Sequence, residues 1–375
     1  MIDFTLDDDL ELVVDTARRF AAEQLAPMQR EFEAARALPG SLHEEARDIG
    51  FDRVDWPESC GGAGLGAQAR VRVLEQLATG CPGAALALQP LGSVAQALMA
   101  FGGEQALAAQ LDALDLNGGA RAALVFDPRG ALAGDASGGR ISGRLPWLPA
   151  DRIDLLAILD RQGLRLVREG LSLTPVPGSG LCAAGASEVT LANAPVSARW
   201  SDPAAAAQAL AHARLHGAAL LVGQMHAAAD YARHYALERV AFGKPIAHHQ
   251  ALSFLIVDMH AAVEMARQLL YEAAWRLQQC PGQAPAACAG AWIEAVESST
   301  FIGSNAVQIL GGPGFMRDYP VEKYLRELRT LGLLLGGADA ARDDAVSDVT
   351  PASPGAHAVL PFHLTAAQAA ATAGD

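Results

Sequence analysis

Two small groups of residues stand out for what their types and spacing could do. The first is Arg239 with Phe242, followed further along by Gln308-x-x-Gly311-Gly312. A guanidinium offers a planar fork of donors suited to a pyrophosphate. An aromatic ring three residues on could lie against an adenine. Paired glycines after a Gln leave backbone amides free of side chains, so a nucleotide could approach closely. The plainer reading is that Arg239 caps a helix end and Phe242 packs into a core. The second group is His212 and His216, four apart and so on one helical face. They could move a proton, or they could simply be two partly exposed helix histidines.

These residues need long helices to position them. Pro203 onward is Ala-rich and helical from Ala204 to Tyr235. Gln250 to Gln278 carries an apolar stripe of Leu252, Leu255, Ile256, Met259, Val263, Ala266 and Leu270. Ala287 to Leu310 gives a third helix, stopped by Gly311-Gly312-Pro313-Gly314, and Val321 to Leu335 a fourth. Helices of this length pack as an antiparallel bundle. The first ~115 residues are also helical in pattern, including Asp7 to Phe20 and Ser41 to Ile49. Between the two helical parts lie short β-rich runs: Ala122–Phe126, Ile153–Leu159, Leu164–Val167 and Glu188–Leu191. Their spacing by Gly, Pro and Asp predicts an antiparallel β-domain. The expected organisation is α+β: a helical domain over 1–118, a β-domain over 119–200, a four-helix bundle over 201–345, and a poorly ordered tail over 346–375 with a weak helix at Thr365–Ala371.

Composition excludes several functions. A net charge of −14 argues against nucleic acid and against an anionic membrane surface. Five scattered cysteines without CxxC spacing give no disulfide framework and no zinc site, which points to a reducing compartment. The opening Met1-Ile2-Asp3-Phe4 lacks the features of a secretory signal, and there is no apolar run of about 20 residues, so a cytoplasmic protein is expected.

Three segments in order carry a family resemblance. Trp56-Pro57-Glu58-Ser59-Cys60-Gly61-Gly62-Ala63-Gly64-Leu65 resembles the P-E-x-x-G-G-x-G-L stretch of acyl-CoA dehydrogenases. Glu238-Arg239-Val240-Ala241-Phe242-Gly243-Lys244-Pro245-Ile246, with Gln250 and Asp258-Met259, resembles the E-R-x-x-F-G-x-P-I…Q…D-M signature. Gln308-Ile309-Leu310-Gly311-Gly312-Pro313-Gly314-Phe315, then Tyr319-Pro320-Val321-Glu322 and Arg326, resembles Q-x-x-G-G-x-G-F…Y-P-V-E…R. The likeness covers roughly residues 1–340. It implies FAD as cofactor, an acyl-CoA as substrate, and a role for Arg239, Phe242, Gln308, Gly311 and Gly312 in holding a flavin that belongs mainly to a neighbouring subunit.

The chemistry that the resemblance implies is removal of a Cα proton and a Cβ hydride, and the proton needs a carboxylate. Leu335 falls where most members carry that glutamate, and Ala213 where others carry it, so no catalytic base is identified. Glu327 stands nearby but reads as structural. Leu124-Val125-Phe126-Asp127-Pro128-Arg129-Gly130 is a shortened version of the loop that lines the flavin in relatives. Trp147-Leu148-Pro149 matches the family's W-I-T or W-I-S. Trp147 is kept as a flavin-side residue, but Pro149 has neither hydroxyl nor N–H to donate. The expectation is a subunit without its own base that completes the FAD site of a catalytic partner in an α2β2 assembly. The alternatives are a homo-oligomeric dehydrogenase with an unusual base such as His216, a flavin-dependent monooxygenase on the same fold, and a scaffold without flavin.

Overall fold

The computed structural model describes residues 6, 8–134 and 139–349. Its axis is a single long helix, α7 (Pro203–Glu238); six helices precede it. These are α1 (Asp8–Phe20), α2 (Gln29–Ala35), α3 (Gly40–Ile49), α4 (Gly66–Gly80), α5 (Pro82–Ala87) and α6 (Ser93–Ala113). A single π-helical turn, Ala21–Leu25, prolongs α1, and Gly103 kinks α6 with φ 62°.

Among the described residues seven strands come between α6 and α7: β1 (Ala122–Phe126), β2 (Ala133–Gly134), β3 (Arg140–Leu148), β4 (Leu155–Leu159), β5 (Gly163–Val167), β6 (Leu171–Pro175) and β7 (Ser187–Ser201). Their order is β1-β4-β5-β7-β3-β2, with β6 also on β7. The long β7 pairs with β5 through its C-terminal half and with β3 and β6 through its N-terminal half. One pair departs from the antiparallel expectation. β1 runs parallel to β4, because β2 and β3 form the crossover that returns the chain in the same direction.

After α7 come a small hairpin of β8 (Val240–Ala241) and β9 (Lys244–Pro245), then α8 (Gln250–Gln279), α9 (Ala284–Leu310), α10 (Val321–Leu331) and α11 (Gly337–Val349). The fourth expected helix ends earlier than its apolar pattern implied. α10 stops at Leu331, and Leu335 sits in a left-handed conformation (φ 54°) inside a short 3-10 turn. Gly332, Gly336 and Gly337 break the helix there, and the indole of Trp292 donates to the carbonyl of Gly337. The first residues of the expected tail are helical, since α11 runs through Val349. The remainder of that segment, with its expected helix at Thr365–Ala371, lies outside the described residues.

α7 begins cleanly: the Asp202 carboxylate accepts from the amides of Ala204 (2.9 Å) and Ala205 (3.1 Å), and Pro203 takes the first helical position. Its small side chains let neighbours close in on every side. A Cβ on Gly217 would stand 2.5 Å from the ring of Trp292 on α9, and one on Gly223 would stand 2.1 Å from the carbonyl of Glu75 on α4. Either glycine costs helix stability by itself, about 0.5–1 kcal/mol, and close packing of α4 and α9 on α7 offsets it. α4 is further tied to α8 through Glu75, which accepts from Arg267 (2.6 Å) and Tyr271 (2.7 Å).

Lys323 and Glu327, one turn apart on α10, form an ion pair with both side chains essentially fully buried, and the ammonium lies 3.5 Å from Cys81. Burial alone would pull the Lys323 pKa down, but Cys81 and Glu327 hold it raised. Glu327 is therefore structural, as the sequence implied.

Candidate ligand cavity and nucleotide-facing surface

A cavity of about 570 Å³ opens where α5, β1, β3, α7 and the turn after α10 meet. The structure gathers Trp147, Pro149, Ala213, His216 and Leu335 into its wall, although they come from three distant stretches of chain. Among the described residues that line it there is no aspartate or glutamate. The two positions where sequence reading looks for the base, Leu335 and Ala213, thus share one cavity, and neither can take a proton.

The shortened loop after β1 explains what became of its single acid. Asp127 is buried, and its carboxylate accepts from the amides of Ala131 (2.8 Å) and Leu132 (3.1 Å). It closes its own turn and does not line the cavity.

His216 corrects one expectation. It is not a partly exposed surface histidine but a buried one, 5% exposed. Burial, with the positive charge of Arg70 adding to it, pushes its pKa down to about 3. His212, one turn earlier, stands 3.1 Å from Arg70 and is pushed down to about 3 for the same reasons. Arg70 is itself held by Asp55 at 2.9 Å. A general base works best with a pKa near the operating pH, so neither imidazole suits the role of the missing carboxylate.

Two arginines that sequence reading did not single out reach the cavity wall. Arg121 donates to the carbonyl of Ala87 (2.6 Å) and contacts His43 (2.8 Å). Arg152 is paired with Asp154 at 2.8 Å. No motif surrounds either residue, so only the folded structure places them there.

The other group of expected residues lies elsewhere. Arg239 caps α7 through its backbone amide, which donates to Tyr235 (2.8 Å), but its side chain is exposed and makes no ion pair among the described residues. Phe242 is 96% exposed and is not core. It occupies the tip of the β8–β9 hairpin, where Phe242 (φ 55°) and Gly243 (φ 81°) both have positive φ. Turns of that kind favour Asn-Gly or Gly-Gly, since a bulky side chain is strained there.

Gln308 is exposed near the end of α9, and Gly311 (φ 66°) follows as its cap. A Cβ on Gly312 would meet nothing within 4 Å, and its φ is not positive. Nothing inside this chain therefore requires glycine at 312. The short α7–α8 and α8–α9 connections bring the ends of α7 and α9 to one end of the bundle. The rings of Tyr235 and Tyr319 meet there edge to face, with centroids 6.0 Å apart.

The two groups are far from each other. His216 and Arg239 lie on one continuous helix, separated by roughly 35 Å at about 1.5 Å per residue. The exposed group cannot serve the cavity of its own chain.

The helical–sheet–helical layering with a ligand-sized cavity at the junction defines an enzyme-type fold that encloses a small molecule. The comparisons narrow this further. The family model for the acyl-CoA dehydrogenase N-terminal domain matches residues 7–114, and that for the acyl-CoA dehydrogenase C-terminal domain matches residues 204–347. Benzylmalonyl-CoA dehydrogenase of Aromatoleum aromaticum is 29% identical over 365 residues, covering 90% of this chain and 96% of that protein. Human mitochondrial short-chain specific acyl-CoA dehydrogenase is 26% identical, covering 90% and 89%. Butyryl-CoA dehydrogenase from Megasphaera elsdenii superposes with a TM-score of 0.80 at 23% identity, over 92% of this chain and 99% of that one.

The chain belongs to the acyl-CoA dehydrogenase family, oxidoreductases that act on CH–CH bonds with FAD. The residues present fit that cofactor unevenly. At the far end of α7 a guanidinium without an ion pair among the described residues, an exposed ring and an open glycine turn have the chemistry a nucleotide needs, whereas in the cavity wall Pro149 has neither hydroxyl nor N–H to offer a flavin. Among the described residues no helix is long and apolar enough to cross a membrane, and no group of three His, Cys, Asp or Glu could hold a metal.

Proposed function

We propose that this chain is the base-less subunit of a heteromeric acyl-CoA dehydrogenase and that it completes the FAD site of a catalytic partner in an α2β2 assembly. The observation that carries the reading is the separation along α7. Among the described residues the wall of the chain's own cavity has no carboxylate, and the nucleotide-suited residues sit roughly 35 Å away on an open surface.

Arg239 would grip the pyrophosphate of the partner's FAD, Phe242 would cover its adenine, and Gln308 with Gly311 and Gly312 would offer close backbone approach. Trp147 would remain as a wall of the chain's own cavity. Bound FAD supplies the hydride acceptor for dehydrogenation of an acyl-CoA. The partner supplies the carboxylate that removes the Cα proton.

A second feature supports a partner. α8 buries one apolar stripe against the bundle, but Phe254, Val257, Met265 and Leu269 form another that is exposed. The stripe starts next to the hairpin that carries Phe242, and Phe315 and Met316 after α9 are exposed as well. A contiguous apolar surface of this kind marks a protein interface. The five unpaired cysteines suit assembly in the reducing cytoplasm.

The test is flavin retention by the assembled complex. Loss of a charge-assisted contact costs about 1.5–3 kcal/mol, so Arg239→Ala should weaken FAD binding by the complex about ten- to a hundred-fold. The melting point of this chain alone should not move. Unchanged flavin affinity in the variant complex would refute the role in trans.

A further inference from the structure

The cavity of this chain has a volume of about 570 Å³, and although no carboxylate lines it among the described residues, its wall is not uniformly inert. His216 is buried, lines the cavity and has no hydrogen-bond partner among the described residues. Among the described residues two charged side chains reach the lining, Arg121 and Arg152, and both are occupied: Arg121 by Ala87 and His43, Arg152 by Asp154 and the carbonyl of Gly118. Most of the remaining wall is apolar, with Leu124, Trp147, Leu220 and Leu335 among its larger members. We infer that this cavity takes an apolar ligand carrying one uncharged oxygen, a ketone or a hydroxyl, and that His216 donates the hydrogen bond that selects it. The inference goes beyond completion of the partner's flavin site, since it concerns a ligand held by this chain.

The charge state of the histidine argues for a neutral oxygen and against a carboxylate. Burial and the nearby Arg70 guanidinium push its titration down to about 3, so the ring is neutral near pH 7. A neutral imidazole has one N–H to give and no charge to compensate an anion. Arg70 does not line the cavity, and its side chain, 6% exposed, faces Asp55 and His212, so it is not placed to pair with a ligand carboxylate. A buried carboxylate without a partner is heavily penalised. A buried imidazole that meets only hydrocarbon also loses hydrogen bonding, and a ligand oxygen restores it.

The experiment is a calorimetric titration of the full chain with three probes of matched length: 2-heptanone, 1-chloroheptane and heptanoate. A neutral hydrogen bond in a dry site predicts that 2-heptanone binds about five- to ten-fold more tightly than 1-chloroheptane, with heptanoate weakest. His216→Phe should remove the preference while 1-chloroheptane binding reports that the cavity persists, and His216→Gln should retain part of it. Should the variants fail to fold, the imidazole ¹⁵N shifts of the unmodified chain decide. Addition of 2-heptanone should move the His216 signal, and no movement overturns the inference. Equal affinity for ketone and chloride, tightest binding of heptanoate, or no binding of any probe also overturns it. Because flavin content is not the readout, none of these outcomes bears on the role of Arg239 toward a partner.

Discussion

The cavity beside the middle of α7 and the surface at its far end show opposite relations between sequence and need. On the inner side, the acids that might have served chemistry, and Leu335 in the cavity wall, are used by the fold. Asp127 closes its own turn, Leu335 packs against the core, and Lys323 and Glu327 neutralise each other inside α10. At the far end, residues find little within the chain, Phe242 having only an edge contact with His249. Phe242 is held in a left-handed turn and exposed, Arg239 has no ion-pair partner among the described residues, and Gly312 meets open space. Local rules broken without internal compensation mark functional sites. The contrast supports the proposal that the chemistry of this chain faces outward.

If that contrast is right, damage to the two regions should have different signatures. The largest effect is expected in the core that supports both regions, at the buried pair on α10. Lys323→Met leaves Glu327 as an unpaired buried charge, which should cost about 3–5 kcal/mol of folding stability. Denaturant unfolding of the chain alone would measure it. A loss under about 1 kcal/mol would show that the pair does not brace α10.

Three histidines, His216 buried and His43 and His212 half-buried, give a pH signature of the inner side. His43 is pushed down to about 4, and His212 and His216 to about 3, each by burial first and a nearby arginine second. Their folded pKa values lie below the ordinary value near 6.5, so the unfolded chain binds more protons. Their share of stability is complete above about pH 6.5 and is lost on acidification toward about 4. The slope is at most about 1.4 kcal/mol per pH unit for each histidine. Comparing the unmodified chain with His216→Phe between pH 6 and 4 isolates one share, because other groups cancel in the difference. Parallel curves would mean that His216 titrates normally.

The smallest effect sharpens the comparison from the other side. Left-handed backbone costs a non-glycine residue about 1–2 kcal/mol. Phe242→Gly should relieve that strain, less the entropy glycine loses on folding, for a net gain of up to about 1 kcal/mol. The same change should weaken FAD binding by the complex. A variant that is both less stable and unaltered in flavin binding would remove Phe242 from the account.

Much of the helical part was legible because its signals are local. The stripe from Leu252 to Leu270 and the glycine stop after Leu310 define α8 and the end of α9 without reference to anything distant. β3 was not legible. Gly143 and Pro146 interrupt its propensity, and pairing with β7 stabilises it through bulges. The same limit applied to α10, whose apolar run continues past Leu331 while three glycines end the helix. Of the two residue groups, Arg239 and Phe242 could be read from their motif, but not that Phe242 sits strained and exposed. That Ala213, Trp147, Pro149 and Leu335 share one wall is a tertiary fact, since no local pattern links them. The burial of His216 was hidden for a related reason. α7 is packed on nearly all sides, so it has no polar face to give its surroundings away.

The central claim is that this chain lends a flavin site to a partner and does not complete one alone. The most direct measurement is the visible flavin spectrum of the purified chain, alone and after assembly with a catalytic acyl-CoA dehydrogenase subunit. The account predicts a colourless chain alone and a yellow complex. A yellow homo-oligomer with stoichiometric FAD, formed without any partner, would contradict it.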